Sequence, residues 1–215
     1  MHIDLTYIAV VLGVVLLSMT IHEAMHAFAG YWLGDTTARD EGRLTLNPLA
    51  HIDPFLTILL PLLLAISGLP VFGGAKPVPF NPYRVRYGEF GAALVGAAGP
   101  LTNLVLAFLS FGLYVLAGTP SADTLLGLIL QAAIYVNLGF FIFNSIPIPP
   151  LDGSRVLYAL APDGARRVME VIEQYGVWFV FAIIFLFNQQ LGQFMAGAIN
   201  FFVNLFAAIF GISVI

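Results

Sequence analysis

The sequence predicts an all-α polytopic membrane protein: five or six transmembrane helices, plus a re-entrant segment and short β-strands near the active site. Three observations carry that reading. Hydrophobic residues make up 60% of the 215-residue chain and charged residues only 9%, with a mean hydropathy of +0.93; soluble domains carry about 25% charged residues. Apolar runs long enough to cross a bilayer recur along the chain. Prolines break two of those runs, as a chain does where its backbone turns inside protein rather than in lipid.

The first run extends from about Ile3 to Leu33. Its start, MHIDLTYIAV, lacks a positive leader and the run outlasts a signal peptide, so it reads as a retained helix. Tyr31 and Trp32 suit the interfacial belt at its end. The second run, Pro54 to Phe72, is shorter and broken by Pro61 and the turn Ser67–Gly68–Leu69–Pro70. The third, about Tyr87 to Gly118, carries Gly91, Ala92, Gly96, Ala97 and Gly99, small residues that let helices pack closely in lipid. The fourth, about Asp123 to Ile146, stops at the prolines of IPIPP. A short amphipathic piece, Ser154 to Ala161, follows. Tyr175 to Ile215 reads as two spans divided near Asn188–Gln190. Repeats and linkers are not evident, so the chain reads as one domain.

Composition excludes several classes. The chain has no cysteine, so disulfides and thiolate metal sites are out, and any metal must be held by His and carboxylates. Eight basic residues scattered over three loops make no stripe for nucleic acid.

The residues that demand a reason are His22-Glu23-Ala24-Met25-His26, inside the first apolar run. On a helix, positions i and i+4 share a face. Two imidazoles can then meet one metal ion while Glu23 reaches a water on it, which is the physical content of H-E-x-x-H. Zinc acidifies that water and polarises a carbonyl; the glutamate moves the proton to the leaving nitrogen. A buried hydrogen-bond cluster is the competing reading. Charged groups at mid-membrane cost about 2.5–3.5 kcal/mol each on insertion scales, which weighs against three polar groups in five positions without a function.

A catalytic zinc takes three protein ligands. The third is sought among His51, Asp53, Asp123 and Asp152. Asp152 lies in NSIPIPPLDGSRVL, at a break in a membrane segment. It could also be an N-cap for the helix of Ser154 to Ala161.

With HEAMH in one segment and Asn144, Pro147, Pro149, Leu151, Asp152 and Gly153 in a later one, the sequence resembles the site-2 proteases, zinc intramembrane metalloproteases. Gly99 to Asn103 (GPLTN) matches the segment between, and NPLAHIDP with FGGAKPVPFNP looks like the small prokaryotic branch without PDZ or CBS domains. The resemblance covers about the first 160 residues. The chain reads as a single protease domain over 1–215, with the resembling catalytic core in 1–161 and, in 162–215, C-terminal transmembrane helices whose last 40 residues the resemblance does not reach. The resemblance implies His22, His26 and Asp152 as ligands of Zn2+ and Glu23 as catalytic base activating a zinc-bound water. Asn144, and with it Asn103, would position substrate or an oxyanion. The partners implied are a transmembrane protein or peptide substrate and the lipid bilayer, with no nucleic acid.

Depth and charge constrain the topology. Met25 lies about 12 Å along the helix from Leu33, so Asp152 must emerge on Leu33's side of the membrane. That requires Pro54 to Phe72 to dip in and return. All eight basic residues then fall on one face, which the positive-inside rule makes cytoplasmic. The expectation is a multi-pass protein of a prokaryotic plasma membrane with its site open to the cytoplasm. Gly73 to Val78, led by Gly73, Gly74 and Ala75, would offer a strand edge to an unwound substrate. His51 reads either as a further ligand or as an interfacial hydrogen-bonding residue. A metal or proton transporter using the same polar residues is the alternative function, though such folds often show repeats. A catalytically dead helix-binding relative ranks below both, because the motif residues are intact.

Overall fold

The computed structural model describes residues 5–59, 63 and 74–212. Its helices are α1 (Leu5–Trp32), α2 (Thr37–Asp40), α3 (Glu89–Leu116), α4 (Leu125–Asn144), α5 (Gly153–Leu160), α6 (Asp163–Leu186) and α7 (Asn188–Phe210). Four of them, α1, α3, α4 and α7, are long and apolar enough to cross a membrane, the architecture of a multi-pass membrane protein. The helix ends follow from local chemistry. The Thr124 hydroxyl accepts the Gly127 N–H and starts α4. The prolines after Asn144 stop it. Gly211, left-handed at φ 68°, closes α7.

The bundle is built on α3. Three pairings set it antiparallel to α1: Asn103 meets His22, Val95 meets His26, and the Arg86 N–H donates to Leu33 O at 2.9 Å. As the numbers rise on one helix they fall on the other. Helix α4 runs alongside both. The apolar core lies where α3, α4 and α7 meet, around Phe111, Leu138, Ile142 and Phe206. Lipid is as apolar as these side chains, so close packing rather than escape from water holds them together.

The count of spans among the described residues roughly fits the expected five or six. Helix α6 bends by 90° at Gly176, which has non-helical φ 43° and ψ −118°. The piece beyond, Trp178–Leu186, is about 13 Å long and cannot cross alone. Among the described residues four helices are long and apolar enough to span, or five if the bent pair counts as one span. The division between the last two segments does fall at Phe187–Asn188.

Among the described residues there is no β-strand, which corrects the expected short strands. The stretch 74–81 has no regular secondary structure, and Pro77 and Pro79 lack N–H donors. Three of its donors are committed elsewhere: Lys76 N–H to His51 O at 2.9 Å, Val78 N–H to Glu23 Oε2 at 3.0 Å, and Asn81 N–H to Asp35 Oδ2 at 2.7 Å. A ladder has little left to pair with. Most of the expected re-entrant segment, with Pro61, Gly68–Pro70 and Gly73, lies outside the described residues. Its two flanks meet, since Thr57 Oγ1 donates to Gly74 O at 2.7 Å.

Candidate metal centre

Ser18, His22 and His26 recur every four residues and share one face of α1. Opposite them α3 presents Val95, Gly99 and Asn103 at the same spacing. Into the space between comes Asp152, at the head of α5. Gly153 makes that entry possible: a Cβ there would lie 2.3 Å from Ser145 O. Gly96 likewise admits Asp152, whose backbone oxygen would be 3.1 Å from a Cβ at that position.

The resulting cluster is tight. His22 Nε2 is 3.0 Å from Asp152 Oδ2 and 3.0 Å from His26 Nε2, and His26 Nε2 is 3.4 Å from Asp152 Oδ2. Asp152 occupies the N-cap position of α5 but makes no side-chain cap hydrogen bond; its carboxylate is turned to the histidines instead.

The donor chemistry fits a zinc ion. His26 Nδ1–H donates to Val95 O at 2.7 Å, and His22 Nδ1 faces Asn103 Oδ1. Both neighbours are acceptors, so both histidines carry their proton on Nδ1 and turn a bare Nε2 inward. Two nitrogen lone pairs and a carboxylate then face one another, and only a cation can sit among them. Tetrahedral zinc at about 2.0–2.2 Å keeps its ligands about 3.3 Å apart, close to the observed separations. Gly99 keeps the space open: a Cβ there would come within 2.4 Å of His26 Nε2 and 2.6 Å of His22 Nε2. His22, His26 and Asp152 are the metal-competent cluster among the described residues.

Glu23 projects beside the cluster and accepts the Val78 N–H. Asn103 is fully buried behind His22, with one amide arm on that ring and the other on Asn137; it does not face the space in front of the cluster. Asn144 is the last residue of α4, its amide donating to Phe140 O at 3.0 Å. Gly74 and Ala75 are half-buried in the irregular stretch before α3, and Gly73 lies outside the described residues. His51 is fully buried but turned elsewhere: Nε2–H donates to Thr45 O at 2.9 Å, and Nδ1 lies 3.5 Å from Arg43 Nη2. It takes no part in the metal cluster.

Sequence reasoning missed two residues. Gly99 was grouped with glycines that merely pack, and its role is visible only once α1 lies against it. Asn137 was not singled out at all. The available signal was a lone amide in an apolar span, which membrane energetics marks as purposeful.

Comparison with known proteins agrees with this geometry. The chain is 39% identical over 204 residues to "Putative zinc metalloprotease YwhC" of Bacillus subtilis, covering 91% of this chain and 90% of that protein. It is 31% identical over 208 residues to "Putative zinc metalloprotease Rip2" of Mycolicibacterium smegmatis, covering 92% and 75%. The Rip2 protein of Mycobacterium tuberculosis is 29% identical over 197 residues, covering 88% and 71%. No family model and no solved structure matches. The chain belongs to the zinc metalloprotease family of YwhC and Rip2, and its cofactor is Zn2+.

Proposed function

We infer that the protein is a site-2-protease-like endopeptidase that hydrolyses peptide bonds of transmembrane substrates within the bilayer. The observation that carries this reading is the convergence of His22, His26 and Asp152 part-way along a membrane-length helix, with Glu23 on the same turn. Zinc bound to the three ligands supplies Lewis acidity, polarising a carbonyl and acidifying water. Glu23 takes the proton of the attacking water and passes it to the leaving amide nitrogen. The Val78 N–H holds the Glu23 carboxylate in place until then. Asn144 sits near the chain break that carries Asp152, where it would orient the substrate.

The substrate must be unwound, because a helix hides its carbonyls in its own hydrogen bonds. The stretch at Gly74 and Ala75 is where we place its backbone. The basic residues support a cytoplasmic opening. Arg39 and Arg43 follow α1, Lys76, Arg84 and Arg86 precede α3, and Arg155, Arg166 and Arg167 follow α4, all at one end of the bundle. Cysteine labelling at Val78 and Thr119 should report opposite faces; labelling on one face would overturn this orientation.

The test of the activity is zinc per chain in detergent-purified protein together with cleavage of a transmembrane peptide library. One zinc per chain is expected, lost in His22→Ala and in Asp152→Ala, with Glu23→Gln keeping zinc and losing cleavage. Zinc indifferent to Asp152 would break the site. Zinc-dependent metal flux in proteoliposomes without cleavage would favour a transporter instead.

A further inference from the structure

Behind His22 runs a chain of buried amides that the reaction itself does not use. Asn103 Nδ2 donates to Asn137 Oδ1 at 2.8 Å. Asn137 Nδ2 donates to Ala133 O at 2.8 Å and to Ser18 Oγ at 3.0 Å. Asn137 is 3% exposed and Asn103 0%. No water competes for these groups, so each orientation is dictated by its neighbour.

The chain has a direction, and it starts at a backbone carbonyl. Ala133 O can only accept, so the amide of Asn137 must turn Nδ2 towards it. That turns Asn137 Oδ1 towards Asn103, which must answer with Nδ2. Asn103 then presents Oδ1 to His22, and His22 must place its proton on Nδ1. The Nε2 lone pair is what remains, pointed at His26 and Asp152. His26 needs no such relay, because Val95 O meets it directly. We propose that Asn137 is a positioning residue for the metal: acting through Asn103, it selects the tautomer of His22 whose Nε2 is free to bind zinc.

Without Asn137, Asn103 can rotate. Its Nδ2 would then donate to His22 Nδ1 and drive the proton onto Nε2, the atom that must coordinate. Partners of metal-ligating histidines that fix ring and tautomer are worth about 10–100-fold in metal affinity. The proposal rests on the ligand set given above.

The test is zinc affinity of the full-length protein, by competition with a chromogenic chelator, in wild type, Asn137→Leu, Asn103→Asp and the double variant. Asn137→Leu should bind zinc about 10–100-fold more weakly. The double variant should recover most of that loss, because a carboxylate at 103 can only accept and holds the Nδ1–H tautomer unaided. Equal zinc binding in Asn137→Leu and wild type would overturn the relay, and so would a double variant as weak as Asn137→Leu. Wild type that binds no zinc would instead overturn the ligand set. A second readout needs no variant: 15N-histidine spectra of the wild type should show two rings protonated on Nδ1 whose Nε2 responds to zinc. Only one such ring, with His22 protonated on Nε2, would also overturn the proposal.

Discussion

Among the described residues two places bury histidine, and they bury it in opposite senses. On α1, His22 and His26 give their Nδ1 protons outward, to Asn103 and Val95, and keep bare nitrogens facing each other and Asp152. In the loop beyond α2, His51 gives its Nε2 proton to Thr45 O and faces the Arg43 guanidinium with Nδ1. His51 is the more deeply buried, at 0% exposure against 6% for His22. Burial does not make a ligand. What decides is whether the second nitrogen is left facing other donors or is occupied by a cation already present in the protein.

Removing the inward-facing groups tests that contrast most severely. His22→Ala, His26→Ala and Asp152→Ala should each abolish stoichiometric zinc, while His51→Ala should keep it. Metal analysis after gel filtration reads both. Glu23→Gln belongs between them: zinc should stay near one per chain while cleavage falls by about 10²–10⁴-fold, the worth of general acid–base catalysis.

Gly99→Ala asks the same question of space rather than of ligands. The added methyl would lie 2.4 Å from His26 Nε2, where the ion and its ligands must meet. Zinc occupancy should collapse although every ligand remains. Gly139→Ala, with nothing within 4 Å of its Cβ, is the matched control on a neighbouring helix and should change neither zinc nor cleavage. If Gly99→Ala holds zinc normally, α3 does not lie against α1 as described.

These residues differ in how legible they were. HEAMH announces itself because polar groups are costly in an apolar run, and helix periodicity fixes the face they share. Asp152 could be narrowed to a few candidates by residue type, but capping and ligation demand the same acid at the same position. Only the packing of α5 against α3 at Gly96, which brings Asp152 to the histidines of α1, separates them. Asn137 and Gly99 act across helix contacts, which no local pattern encodes. The stretch 74–81 misled for a different reason. Its glycines and alternating prolines look like an edge strand, yet three of its remaining donors are taken by Glu23, Asp35 and His51.

The His51 region supplies the next test. Arg43 Nη2 donates to Lys76 O at 2.6 Å, His51 O accepts the Lys76 N–H, and Arg43 Nε has no hydrogen-bond partner among the described residues. Arg43→Met would leave the Lys76 carbonyl unpaired, at a cost of about 1–3 kcal/mol. Zinc should be unaffected. Cleavage should slow, because Lys76 anchors the stretch whose Val78 N–H holds Glu23. Thermal unfolding and a cleavage assay on the same preparation separate the two effects.

The smallest change probes His51 itself. Glutamine can present a side-chain N–H to Thr45 O and an oxygen to Arg43, the same donor and acceptor on the same two sides. What it loses is the ring's shape and its capacity to bind metal. His51→Gln should therefore keep full zinc and lose no more than about 1 kcal/mol of stability, the worth of an imperfectly replaced hydrogen bond. A larger fall in stability would mean that ring packing, not the two polar contacts, holds the loop to Lys76. A fall in zinc would be more serious: it would make His51 a ligand in some state of the protein and end the distinction between the two buried histidine sites.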